Sequence, residues 1–300
     1  MKRSAGVGLV LAAVVALAAL LRARVGADSS PAYVVSASWA TLPPQSSWGE
    51  ISAVASDGRG RILVLRRVEP SFLVFTTQGE FVNSWGRGLF RWAHGLRVDR
   101  EGFVWATDAG DNVIIKFTQG GEELLHVGER GVTGDDRSTT AFDRPTDVAV
   151  ARSGDFFVSD GYGNSRVVKF GRDGAFRGII GGTKGSGPGE LDLPHALVID
   201  SRERLLVGDR ENARIALFDQ DGRFLEAWSG LGKPYGLHLA ADDTLYVADA
   251  EAGTITIAKE GRAVEVIRNL GHPHWLAGDP SGALYTADVR AMQVSKITRN

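Results

Sequence analysis

The stretch HGLRVDREGFVWATD, running from His94 to Asp108, decides the fold. Apolar residues alternate over its first six positions, a charged Gly-containing turn follows, and a second apolar run ends in aspartate. Period two with a tight turn is the pattern of two antiparallel strands, not of a helix. Five other stretches align with it without gaps: SAVASDGRGRILVLR from Ser52, TDVAVARSGDFFVSD from Thr146, HALVIDSRERLLVGD from His195, YGLHLAADDTLYVAD from Tyr235 and HWLAGDPSGALYTAD from His274. The starts lie 39 to 52 residues apart, and the copies end on Asp108, Asp160, Asp209, Asp249 and Asp288, with Arg66 in the first. A third apolar run follows in most copies (Val113 to Phe117, Arg166 to Phe170, Arg214 to Phe218), then a Gly-bearing turn and a fourth, as in Phe81 to Trp85. Four short strands repeated six times predict an all-β, six-bladed β-propeller. The last repeat stops after its third strand near Ile297, so the β-like run Ala32 to Trp39 is expected to supply the missing strand and close the ring, which removes an open sheet edge.

Working outward, the domain plan is an N-terminal targeting segment over 1–27 and the propeller over 28–300. Lys2 and Arg3 precede an apolar run from Ala5 to Leu21, and Val25-Gly26-Ala27 offers small residues for cleavage. Arg22 and Arg24 directly after the run suit a retained anchor as well. Both readings predict an extracytoplasmic protein, secreted or periplasmic, that touches membrane only through this segment. A net charge of −2 gives no sign of nucleic-acid binding, and with no cysteine a transition metal would have to be held by His or carboxylate.

Labelling each residue by blade and offset exposes a candidate site. Three of the six histidines, His94, His195 and His274, occupy the first position of alternate blades. That register puts them beside the central channel in a roughly three-fold set, and three neutral imidazoles with one open position are the geometry of a catalytic zinc site. The position just after the repeat aspartate holds Arg67 in blade one and Arg210 in blade four, opposite one another, and Tyr162 follows one residue later in blade three. All three belong to the histidine face. Arg66 beside Arg67 leaves open which arginine points inward. His126 and His238 read as surface or packing residues, while His272 lies close enough in sequence to approach the metal. The loops GERGVTG (128–134) and GGTKGSGPGE (181–190) neither follow a strand nor open a helix, so they read as blade connections on the site face and not as phosphate cradles.

The repeats resemble NHL repeats. The stretches FRWAHGLRVD (90–99), RPTDVAV (144–150), FVSDGYGNSRVVKF (157–170), LPHALVID (193–200) and GDRENARIALF (208–218) go further and resemble the peptidyl-α-hydroxyglycine α-amidating lyases. That resemblance implies cleavage of a peptidyl- or N-acyl-α-hydroxyglycine to an amide and glyoxylate. It implies Zn2+ on His94, His195 and His274, with its Lewis acidity directed at the substrate hydroxyl. Tyr162 would act in proton transfer, its pKa lowered by nearby arginine, and Arg67 with Arg210 would hold the substrate carboxylate. It also implies a structural Ca2+ held partly by the backbone carbonyls of Val54 and Leu96. The chain departs from the animal members at Gly163 (a cysteine there), His272 (a methionine) and Trp275 (an aspartate), and the last departure weakens the calcium expectation. Two other readings stay open: a non-catalytic NHL propeller that binds a protein or envelope ligand, and a metal-dependent sugar-lactone hydrolase, against which the three-histidine register argues.

Overall fold

The computed structural model describes residues 32–300, and the compact body that carries the site runs from Val35 to Thr298. The expected targeting segment, 1–27, lies outside the described residues; among those described, no helix is long and apolar enough to cross a membrane. Twenty-four strands form six four-stranded sheets. In five of them the strands lie in chain order. In the sixth the order is Tyr33–Ser36, Gln293–Arg299, Leu284–Asp288, Pro273–Gly278, so the N-terminal strand closes the last blade as the sequence predicted. The first strands (Ile51–Ser56, Ala93–Val98, Asp147–Val150, Pro194–Ile199, Gly236–Leu239 and Pro273–Gly278) each contact the next, and the sixth contacts the first, which closes a ring around the channel.

Local chemistry explains why each repeat folds alike. In blades one, two, four and six an aspartate between strands one and two accepts from backbone N–H groups two and four residues on, as Asp57 does from Arg59 and Arg61 and Asp99 from Glu101 and Phe103; blades three and five have Ala151 and Ala240 there. This is the side-chain turn for which aspartate is suited. Strands one to three are largely buried, because each sheet packs against neighbouring blades on both faces, and the outermost strands, such as Phe81–Trp85, are mostly exposed.

The repeat aspartate at the end of strand two ties the loops of the site face together. Asp108 accepts from the N–H groups of Arg91, Trp92, Gly110 and Asp111, and Asp288 from those of His272, Arg290 and Ala291. It thereby fixes the chain entering strand one relative to the chain leaving strand two. Blade one does the same with the polarity reversed: Arg66 is buried and donates to the carbonyls of Ser47, Trp48 and Pro70. Arg66 is therefore a loop anchor turned away from the channel. In blades three and four the aspartate also holds a neighbouring loop. Asp160 bonds Asn164 and the fully buried Arg166, which reach the carbonyls of Gly134, Ser138 and Ala141; Asp209 bonds Asn212 and Arg214, which reach those of Gly185, Ser186, Gly187 and Glu190. Asp160, Asn164 and Arg166 of DGYxNSR, and Asp209 and Asn212 of DREN with the following Arg214, thus pin the connections before blades three and four.

Candidate metal centre

His94, His195 and His274 converge. Their ligand atoms all lie within 4.8 Å of one another, and the ring centroids are 5.0 to 5.1 Å apart. All three side chains are buried. The pairing register between strands one and two shifts at each of them: between Ala93 and Leu96, Pro194 and Ala196, and Pro273 and Trp275. A bulge frees a residue from the ladder and re-aims its side chain. Here it turns three strand-initial imidazoles into the channel.

The second ring nitrogens are held in a matching pattern. Nδ1 of His94 lies 2.8 Å from the Thr146 carbonyl oxygen, Nδ1 of His195 lies 2.5 Å from that of Tyr235, and Nδ1 of His274 lies 3.1 Å from that of Ser52. These acceptors are the first residues of blades three, five and one. The odd blades therefore orient the histidines of the even blades. A carbonyl only accepts, so each Nδ1 carries the proton and each Nε2 keeps a lone pair for a ligand. Close backbone approach makes this possible. A Cβ on Gly95 would sit 2.3 Å from the Thr146 oxygen, and one on Gly161 would sit 2.1 Å from the carbonyl oxygen of Pro194, the residue before His195.

The Tyr162 hydroxyl lies 2.9 Å from Nε2 of His94 and 3.2 Å from Nε2 of His195. It has one proton to donate and faces two lone pairs. The excess of acceptors at one point is what a cation relieves, so the donor set suits zinc. Burial keeps all three imidazoles neutral: it drives His94 and His195 well below the usual histidine value, with further lowering by the neighbouring rings, and His274 to about 3. Neutral imidazole is the form that binds a metal.

Two guanidinium groups flank this centre. Arg67 donates Nε–H to the Ala93 carbonyl (3.1 Å) and Nη1–H to Glu50 (2.5 Å), and stacks 4.4 Å from the Trp92 ring centroid. Arg210 bonds Glu211 (2.9 Å) and lies over Tyr235 at 4.7 Å and Tyr162 at 5.7 Å. Both bear electrostatically on Tyr162, but burial outweighs them and pushes the phenol above its usual value. The expected net lowering by arginine is therefore corrected: the arginine field is present, and desolvation of the phenolate is larger. Arg144, which donates to the Tyr162 carbonyl, adds a third positive charge. Sequence reasoning passed over Trp92 and Tyr235 as platforms for the arginines, and over the three orienting carbonyls.

The other histidines stand apart. His126 pairs with Glu123 on an outer strand, and His272 packs 5.9 Å from Tyr235 without joining the set of three. His238, expected at the surface or in packing, lines the far end of the channel, where burial lowers it to about 4. Val54 and Leu96 line that same space, a cavity of about 330 Å³, beyond the histidine level.

This geometry defines a class: a six-bladed propeller with a buried three-histidine centre roofed by a tyrosine and two arginines. Residues 142–170 match the NHL repeat model, within a six-bladed propeller. Relatives with curated names sharpen the resemblance. The chain is 32% identical over 201 residues to the probable peptidyl-alpha-hydroxyglycine alpha-amidating lyase of Caenorhabditis elegans, covering 58% of this chain and 57% of that one. It is 32% identical over 219 residues to peptidyl-alpha-hydroxyglycine alpha-amidating lyase 2 of Drosophila melanogaster (63% and 52%), and 32% identical over 199 residues to human NHL repeat-containing protein 3 (62% and 57%). The chain spans little more than half the length of these relatives. Among solved structures, a streptogramin B lyase superposes with a TM-score of 0.65 at 14% identity, over 90% of this chain and all of that one, which supports the fold alone.

Proposed function

We propose that this protein is a zinc-dependent lyase that cleaves a peptidyl- or N-acyl-α-hydroxyglycine to an amide and glyoxylate. The observation that carries this reading is the Tyr162 hydroxyl, held against two imidazole Nε2 atoms between Arg67 and Arg210. Zinc on the three Nε2 atoms would supply Lewis acidity toward the substrate's carbinol hydroxyl. Tyr162 acts as the phenolate: its Oη accepts the carbinol proton and returns it to the amide nitrogen as the C–N bond breaks. The carbinol carbon becomes the aldehyde carbon of glyoxylate. One proton has moved from oxygen to nitrogen, so no oxidant or hydride is needed. Arg210 and Arg67 oppose the cost of a buried phenolate, and their remaining N–H groups hold the substrate carboxylate. Trp92 and Tyr235 keep the two guanidinium planes in place. The charged and apolar N-terminal run supports action outside the cytoplasm.

The test is glyoxylate release from α-hydroxyhippurate by zinc-loaded protein. Absence of metal-dependent glyoxylate above background removes the lyase claim. Similarity at the same level to NHL repeat-containing protein 3 keeps a second reading, a non-catalytic propeller that binds a protein or envelope ligand. It predicts no bound transition metal and no glyoxylate from any α-hydroxyglycine.

A further inference from the structure

One layer beyond the histidines, the channel holds a second buried charged group that has no part in the reaction above. Asp147 is fully buried, and its carboxylate accepts from Arg97 Nε (2.9 and 3.2 Å), Arg97 Nη2 (2.6 Å), Val148 N (2.7 Å) and Leu197 N (2.8 Å). Arg97 Nη1 donates to the Leu237 carbonyl at 2.9 Å, and the guanidinium lies 5.0 Å from the Trp275 ring centroid. Read by blade, this single ion pair joins Arg97 of blade two to Asp147 of blade three, Leu197 of blade four and Leu237 of blade five, and rests on Trp275 of blade six. Blades two and five are opposite in a six-membered ring, so the side chain crosses the channel.

Val148, Leu197 and Leu237 are the third residues of their repeats. Val54 and Leu96 are the third residues of theirs, so this is the register at which a structural calcium was expected. The residues do not fit one. Calcium takes six to eight oxygen ligands, carboxylates prominent among them. The carboxylate at this level is fully occupied by donors, the Leu237 oxygen is taken by Arg97, and the residue after His274 offers an indole face in place of a carboxylate. A guanidinium already in the channel repels a divalent cation. Its planar fork meets a carboxylate and a carbonyl together, which a bare ion would have to do with recruited ligands.

We propose that Arg97 is the chain's own structural cation: it replaces channel calcium, and the propeller neither binds nor needs that ion. The experiment is equilibrium dialysis of the full zinc-loaded chain against radiolabelled calcium up to millimolar, with thermal melts with and without calcium. The wild type is expected to retain well under one equivalent and to melt at the same temperature in both. Arg97→Ala, which strands the Asp147 carboxylate, is expected to lower Tm by on the order of 10 °C while zinc content holds, and Arg97→Lys, which keeps the charge without the fork, by less. One equivalent of bound calcium with a raised wild-type Tm overturns the proposal, as does an Arg97→Ala protein that melts with the wild type. If Arg97→Ala does not fold, the wild-type calcium titration still decides. No readout involves turnover, so the result is independent of the lyase reading.

Discussion

Gly95→Ala probes the link between fold and metal most sharply. The added methyl would sit 2.3 Å from the Thr146 oxygen, 3.0 Å from Thr107 Oγ1 and 3.2 Å from the Asp147 Cα. An ordinary contact needs about 3.4 Å or more, so Thr146 or the His94 backbone must shift by about 1 Å. The displaced oxygen is the one that orients His94 at 2.8 Å. A shift of that size breaks the hydrogen bond and frees the imidazole to rotate. Removing an outer-shell partner of this kind costs on the order of 10- to 100-fold in metal affinity, and the overpacking about 1–3 kcal/mol of stability. Gly95 is not among the positive-φ glycines, so the effect is steric and not a strained backbone. Competition with a chromophoric zinc chelator measures it. Gly178→Ala is the control, since a Cβ there meets nothing within 4 Å. If Gly95→Ala holds zinc as tightly as the wild type while Gly178→Ala behaves as expected, the claim that odd-blade carbonyls orient the ligands is wrong.

Three further outcomes follow from named contacts. Tyr162→Phe keeps the ring and removes the hydroxyl, so glyoxylate formation should fall by about 10²- to 10⁴-fold with zinc content unchanged; a fully active variant would remove Tyr162 from proton transfer. Arg166→Met leaves the buried Asp160 carboxylate with Asn164 and a backbone N–H only, and should cost about 3–5 kcal/mol in denaturant unfolding. For metal-free protein, His274 binds a proton near pH 6.5 when unfolded but only at about 3 when folded. The unfolded state then holds more protons between those values, stability rises with pH across that window, and this one group accounts for a loss of about 2 kcal/mol between pH 7 and pH 5. His94 and His195 act in the same direction, and a flat urea midpoint over that range would contradict the burial argument.

The fold was legible because each blade repeats one alternating pattern, and four of the six repeat the same turn aspartate (Asp57, Asp99, Asp200 and Asp279). Even the closing strand, Tyr33–Ser36, showed as an apolar run without a partner. The three ligands were legible because a side chain at a fixed offset is visible once the repeats are aligned. Their orientation was not, since Ser52, Thr146 and Tyr235 act through backbone carbonyls that carry no side-chain signal. Arg66 and Arg67 could not be told apart by sequence for a similar reason. One replaces a repeat aspartate by reversing donor and acceptor, and only the carbonyls around it reveal the exchange. Arg97 looked like an ordinary polar residue in an alternating strand. Its role depends on Asp147 and Leu237, which lie 50 and 140 residues away.

The central claim is that His94, His195 and His274 bind one metal ion through Nε2. X-ray absorption at the zinc edge, with elemental analysis of protein purified without chelator, tests it most directly. The account predicts one zinc per chain with three imidazole nitrogens at about 2.0–2.1 Å, lost in His195→Ala. Protein that is folded yet takes up no zinc, or zinc retained in full by His195→Ala, would contradict it.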